Sequence, residues 1–252
     1  QVKDLSVFAL FKVIKPKFKT SLDVYFVAWT TTPWTLFANT GLAVGKNINY
    51  LYVQTTNPFT SKPMVIICAE DCLDKIFDEK TNRLILKNSD KNYSILSKCK
   101  GLDLVGLRYD QLLKNVQPEG NGGEAFRVIE ADFVTTESGT GIVHLAPTFG
   151  ADDFNVAKKN NLPPMLIKSK NKPDSLVPIV DERGRFVSEL GEEFGGRFVK
   201  SEFSSSENHP SVDVDIVVML KKMGLAFKSE KYTHNYPHCW RTDKPILYYP
   251  LN

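Results

Sequence analysis

Short runs of β-branched and aromatic residues, each closed within a few positions by Gly, Asn, Pro or Asp, narrow what this chain can become. Val24–Trp29, Met64–Cys68, Phe126–Ile129 and Gly141–Leu145 have the length and residue types of strands. Asn121-Gly122-Gly123 and Glu137-Ser138-Gly139-Thr140-Gly141 supply turn residues between them. Helical signals are fewer. Asp71–Lys80 is amphipathic, and Gly150–Asn160 places Asp152 and Asp153 where a helix N-terminus favours acids. Ser211–Met223 has a Ser cap, apolar helical spacing, Lys221 and Lys222 near its end, and Gly224 as a stop. Many short strands with few helices predict a mainly β fold with flanking helices, a distorted β-barrel closed or nearly so. Residues 166–210, rich in Lys, Pro, Gly and Ser, predict a peripheral excursion of strands and loops on one domain spanning 1–252.

The chain is long enough at 252 residues to bury a core, and 42% hydrophobic with 24% charged residues is ordinary globular balance. No apolar run reaches membrane-spanning length and no signal peptide opens the sequence, so a soluble, cytoplasmic, monomeric module is expected. Lys plus Arg exceed Asp plus Glu by 32 − 29 = 3, too little for a surface that binds nucleic acid by charge alone. Four scattered cysteines, Cys68, Cys72, Cys99 and Cys239, read as reduced thiols rather than a disulfide framework. Gln1 at one end, and Asn252 directly after the strand-like Pro245–Tyr249 at the other, read as the cut ends of a module from a longer protein.

Two segments carry chemistry. The first is Trp29-Thr30-Thr31-Thr32-Pro33-Trp34-Thr35-Leu36, followed by Asn39. Three threonines leaving a strand present hydroxyls on both faces, and Pro33 ends the pairing and turns the backbone. Strand propensity alone explains many Thr triplets; two tryptophans and a proline around this one argue for a shaped site able to hold a water or a ribose hydroxyl. The second is Gly139-Thr140-Gly141-Ile142-Val143-His144-Leu145-Ala146-Pro147, running on to Asp152-Asp153. It reads as turn, strand, loop and helix start, a pattern that can bring His144 and Asp153 to one pocket. Taken singly, His144 reads as a structural histidine and Asp153 as a helix cap.

Together the two segments resemble the editing (connective peptide 1) domains of class Ia synthetases for isoleucine, valine and leucine. Phe126–Val134 leads into the second hallmark as it does there, and His234–Arg241 looks like the segment returning to the synthetase's catalytic domain. The resemblance covers Asp23 to Tyr249. Thr32 stands where the leucine and valine enzymes typically carry Arg, so the isoleucyl form is the one resembled; Phe149–Asp153 and Cys239–Pro245 look bacterial in style. The family lives with a limit: a pocket rejects the smaller valine by only ~1–3 kcal/mol, the isoleucine enzyme being the standard illustration. A second site that admits valine and excludes isoleucine removes the error.

The resemblance implies hydrolysis of mischarged Val-tRNA(Ile) at the acceptor end, with valyl-adenylate as a further substrate. It places Thr30, Thr31 and Thr32 near the ester carbonyl and attacking water, and Asp153 on the substrate α-ammonium. Asn39 belongs to the same pocket, and Trp34 and His144 to its walls, His144 set to collide with isoleucine. No general base is implied; positioning of water and ester carries catalysis, with the ribose hydroxyl assisting. Phe37-Ala38 replaces the more usual Pro-Ser and is expected to reshape the rim beside Asn39. The ATP-site signatures His-Ile-Gly-His and Lys-Met-Ser-Lys-Ser are missing, so ATP and Mg would serve the parent enzyme and not this segment, for which no cofactor is expected.

Other signals weigh less. His234, His238 and Cys239 suggest a metal, yet Pro237 breaks the helix that would align the two histidines, and no metal site is expected. Lys12, Lys15, Lys17 and Lys19 suggest a lysine-protected edge strand, and Arg183, Arg185, Arg197, Lys200 and Lys228 stay uncommitted. Two other readings compete with the hydrolase: a non-catalytic module that docks the tRNA acceptor end, and a metal-dependent hydrolase built on His234 and Cys239.

Overall fold

Val7–Phe11 is apolar without alternation and buried throughout, which requires a strand covered on both faces. In the computed structural model, which describes residues 2–87, 92–120, 122–169, 172–203 and 211–249, this run is the middle of strand β1 (Val2–Lys12). Then follow β2 (Val24–Thr30), a 3-10 turn over Pro33–Ala38, β3 (Gly41–Val44), β4 (Asn49–Thr56) and β5 (Pro63–Ala69). Helices α1 (Leu73–Ile76) and α2 (Glu79–Leu86), strand β6 (Tyr93–Lys100) and helix α3 (Gly101–Leu104) come next. The chain continues through β7 (Arg127–Glu130), β8 (Ile142–Leu145), α4 (Ala151–Lys159), β9 (Leu166–Ser169), β10 (Lys172–Pro178), α5 (Val212–Met223) and β11 (Ala226–His234).

The large sheet has the order β11-β1-β2-β5-β4-β6, all neighbours antiparallel except the parallel β2–β5 pair. A second sheet has the order β7-β3-β8, and β9–β10 form a hairpin. Strand β2 pairs with β5 only over Val24–Phe26; its far half lies beside β8, so the two sheets meet there. The fold is therefore mainly β with flanking helices. Among the described residues the strand orders are open, and no closed ring of paired strands is seen.

Helix α5 buries Val212, Ile216, Val217 and Leu220 against β1, β11 and the 3-10 turn. The Ser211 side chain accepts from Asp213 N, and Gly224 at φ 71° closes the other end. The helix expected over Asp71–Lys80 is instead broken in two. Asp78 is extended and its carboxylate accepts from Thr81 N, so it caps a new helix, while Phe77 packs on Tyr93 and Phe227. Pro245–Tyr249 is not a strand; its ladder contact is one bridge, His238 to Pro245. Nor is β1 an edge. The outer strands of the large sheet are β11 and β6, and these carry Lys228 and Lys231, Lys98 and Lys100. Lys12 pairs with Asp23, and Lys17 donates to the Asp103 carbonyl.

Tyr50 ties the sheets together. Its buried hydroxyl donates to the Gly141 carbonyl (2.6 Å) and accepts from Gly45 N (3.1 Å), and desolvation pushes its pKa well up. Gly141 has φ 71°, and a Cβ there would meet the Ala69 Cβ at 2.3 Å, so the turn into β8 admits no side chain. Replacing Tyr50 by Phe strands two buried backbone groups and is expected to cost about 1–3 kcal/mol, read as a lower midpoint in thermal unfolding. An unchanged midpoint would show that water replaces the hydroxyl.

Candidate functional site

The threonine turn is built by its own hydroxyls. Thr30 Oγ1 accepts from Thr32 N (3.1 Å) and so closes the end of β2. Pro33, which has no N–H to lose, opens the 3-10 turn, and Thr35 N donates to the Thr32 carbonyl at 3.0 Å. The next free donor, Trp34 N, reaches Asp213 Oδ1 in the first turn of α5 at 2.8 Å. Burial pushes the Asp213 carboxyl up to about 7, opposed by the Lys200 ammonium and by the Trp34 N–H. Lys200 itself sits closer to Asp4 (3.0 Å) than to Asp213 (4.0 Å).

Strand β8 and the start of α4 face this turn across a cavity of about 420 Å³. Thr30, Thr31, Thr32, His144 and Asp153 all line it. Trp34 and Asn39 do not. Trp34 is 2% exposed and stands edge-on behind Phe149 (5.1 Å), while Asn39, also 2% exposed, lies behind His144. Both support the wall from the interior. Phe37 is fully buried between Phe186 and Phe194, so the Phe37-Ala38 pair fastens the turn to the 166–210 region. Sequence reasoning missed Thr35, Thr140 and Phe149 as lining residues, although all three sit inside or beside the quoted motifs.

Thr35 Oγ1 donates to the Thr32 carbonyl (2.8 Å) and lies 3.0 Å from His144 Nε2. With its one proton committed, Thr35 must accept from Nε2–H. On the other side of the ring, Asn39 Nδ2 lies 3.4 Å from Nδ1. Burial lowers the His144 pKa to about 4, so the ring is neutral near pH 7. The hydroxyls of Thr30 and Thr32 are 3.2 Å apart, and those of Thr32 and Thr35 3.5 Å. Among the described residues the Thr31 hydroxyl has no partner, which leaves it available to a ligand.

Asp153 Oδ2 accepts from Ala146 N at 2.8 Å, which pins the carboxylate at the pocket while Oδ1 has no partner among the described residues. Desolvation raises its pKa, partly offset by the Ala146 N–H. It is the one carboxylate on a lining that otherwise offers hydroxyls, apolar groups and a neutral imidazole. The arrangement suits a small cationic group at one end and a carbonyl or hydroxyl among the threonines.

The remaining signals lie elsewhere. His234 Nε2 contacts Asp4 (3.1 Å), His238 Nδ1 contacts the Tyr236 carbonyl (2.8 Å), and no cluster of three or more His, Cys, Asp or Glu able to hold a metal occurs among the described residues. Arg185 pairs with Asp181, Arg197 with Asp215, and Lys228 with Asp78 and Glu230. A wider cavity of about 860 Å³ runs along Asp181–Glu192; Arg183 and Arg185 line it, but none of the candidate catalytic or substrate-binding residues does. No helix among the described residues is long and apolar enough to cross a membrane.

No protein-family model matches the chain. Isoleucine–tRNA ligase of Cytophaga hutchinsonii is 49% identical over 100% of this chain and 24% of its own length. The same enzyme of Bacteroides fragilis is 46% identical over 100% of this chain and 24% of its own length, and that of Clostridium tetani 39% over 100% and 20%. The chain thus spans about a quarter of the length of the curated relatives it matches. Among solved structures, the crystal structure of GlLeuRS-CP1 aligns with a TM-score of 0.57 and 15% identity over 90% of this chain and 100% of that one, a likeness of fold. Over its whole length the chain is thus homologous to a segment of isoleucine–tRNA ligases, and its fold is that of GlLeuRS-CP1.

Proposed function

We propose that this segment hydrolyses valine from mischarged Val-tRNA(Ile), as the post-transfer editing domain of an isoleucine–tRNA ligase. The observation that carries the reading is the single carboxylate of Asp153 facing the unpartnered Thr31 hydroxyl across a pocket walled by neutral His144. Asp153 Oδ1 receives the substrate α-ammonium and so fixes the ester. The hydroxyls of Thr30, Thr31 and Thr32 hold the carbonyl and an attacking water. Water adds to the ester carbon, the bond to the ribose oxygen breaks, and that oxygen regains a proton as free valine leaves. His144 and the Thr35 it binds form a rigid wall against the larger side chain of isoleucine; Asn39 and Trp34 brace that wall from behind. Valyl-adenylate, which presents the same ammonium and acyl group, is proposed as a second substrate.

Residues 1–252 are read as one domain in which 166–210 is an excursion, and the two sheets as a distorted barrel around the pocket, a reading supported by the approach of β2 to β8. Its partners are the acceptor end of tRNA(Ile) and the catalytic domain of the parent chain, where ATP and Mg would act, in the cytoplasm. The proposed hydrolysis calls for no cofactor.

Incubated with aminoacylated tRNA, the protein should release valine from Val-tRNA(Ile) and spare Ile-tRNA(Ile). Asp153→Ala should lower that rate by about 10–100-fold, the worth of a charge-assisted hydrogen bond. If the intact parent enzyme also leaves Val-tRNA(Ile) uncleaved, the hydrolase reading fails and RNA docking replaces it. The pH–rate profile supplies a separate check. With its pKa lowered from 6.5 to about 4, His144 stays neutral at pH 6–8 and contributes no break there. Its stability contribution is complete above pH 6.5 and is lost as pH falls toward 4. A break in the pH–rate profile near pH 6.5 that disappears in His144→Gln, or a His144-dependent stability that does not fall between pH 6.5 and 4, would contradict this.

A further inference from the structure

Tyr109 is a wholly buried tyrosine that neither sequence motif contains, set between Phe11 (5.3 Å) and Phe126 (6.1 Å). A phenol so placed needs a partner for its proton, and the partner it has leads to the pocket. The Tyr109 hydroxyl donates to Asn39 Oδ1 at 2.7 Å. This orients the Asn39 amide, whose Nδ2 then donates to the Gly41 carbonyl at 2.8 Å and lies 3.4 Å from His144 Nδ1. We infer that Tyr109 is a positioning residue that sets the tautomer of His144 through Asn39.

Of the two Asn39 Nδ2 protons one goes to the Gly41 carbonyl, and the other lies between His144 Nδ1 and the Leu145 carbonyl, each 3.4 Å away. With that proton shared toward the ring, Nδ1 is bare and Nε2 protonated. Nε2–H donates to Thr35 Oγ1, and Thr35 in turn donates to the Thr32 carbonyl (2.8 Å). In the other tautomer, Nδ1–H would face the Asn39 N–H, donor against donor. The bare Nε2 would then draw the Thr35 proton away from Thr32, leaving the Thr32 carbonyl only the backbone bond from Thr35 N. Tyr109 thus reaches the pocket through a relay of Asn39, His144, Thr35 and Thr32. Without the phenol proton, Asn39 Oδ1 is buried and unsatisfied, and the amide, still held by the Gly41 carbonyl, can tilt toward the Leu145 carbonyl and away from the ring. Nδ1 then loses the donor that kept it bare.

The consequence for catalysis rests on the deacylase reading above; the consequence for the ring does not, and the test separates them. Tyr109→Phe keeps the aromatic contacts and removes only the hydroxyl. Ring 15N shifts of His144, assigned with His144→Gln, should show bare Nδ1 and protonated Nε2 in the parent sequence and a convergence of the two in Tyr109→Phe. Asn39→Asp, which places an acceptor opposite Nδ1, should reverse them. Deacylation of Val-tRNA(Ile) by Tyr109→Phe should fall about tenfold, with substrate binding little changed. Unaltered shifts in Tyr109→Phe would overturn the inference whatever Asn39→Asp or the activity does. Shifts that move in a protein without deacylase activity would uphold the inference and sink the deacylase reading instead.

Discussion

The contact between Thr35 and His144 is the one on which the rest of the site depends. These residues are 109 positions apart, and their 3.0 Å hydrogen bond is where the threonine turn and strand β8 meet. Everything around it serves to bring the two segments to that separation. The parallel β2–β5 pairing stops at Phe26, which frees the end of β2 to approach β8. Tyr50 joins Gly45 to Gly141 and thereby fixes where β8 begins. Asp213 holds Trp34 N from the opposite side, so the 3-10 turn is pinned between a helix and a strand. A turn held at both ends can present hydroxyls at fixed separation, the requirement for catalysis by positioning.

Electrostatics follow from the same packing. Burial keeps His144 neutral, and the pinned Asp153 supplies the one negative charge of the lining. A pocket with one carboxylate at one end and hydroxyls at the other has the polarity to suit an ammonium beside an ester carbonyl.

Much of this was legible in the sequence, for identifiable reasons. Val24–Trp29 and Met64–Cys68 are buried strands because β-branched and aromatic runs leave few alternatives, and Ser211 and Gly224 bracket α5 because capping chemistry is local. The two motifs do share one pocket. What failed were inferences that depend on tertiary partners. The break at Phe77–Asp78 comes from packing against Tyr93 and Phe227, which helical periodicity does not record. The lysines near residue 15 lie beside an interior strand because β11, more than 200 residues away, covers β1. Trp34 and Asn39 belong to the right segment, but which face of a 3-10 turn looks into the pocket is set by α5 and Phe149, and both side chains end up behind the wall. Tyr109 carried no motif at all; only its hydrogen bond reveals it.

The central claim, that Asp153 and the threonine turn form one aminoacyl site, is tested most directly by a crystal structure with a non-hydrolysable amide analogue of valyl-adenosine. The α-ammonium is expected on Asp153, the acyl carbonyl beside Thr31 and the valine side chain against His144. An analogue seated in the Asp181–Glu192 groove, or in this pocket with its ammonium turned away from Asp153, would contradict it.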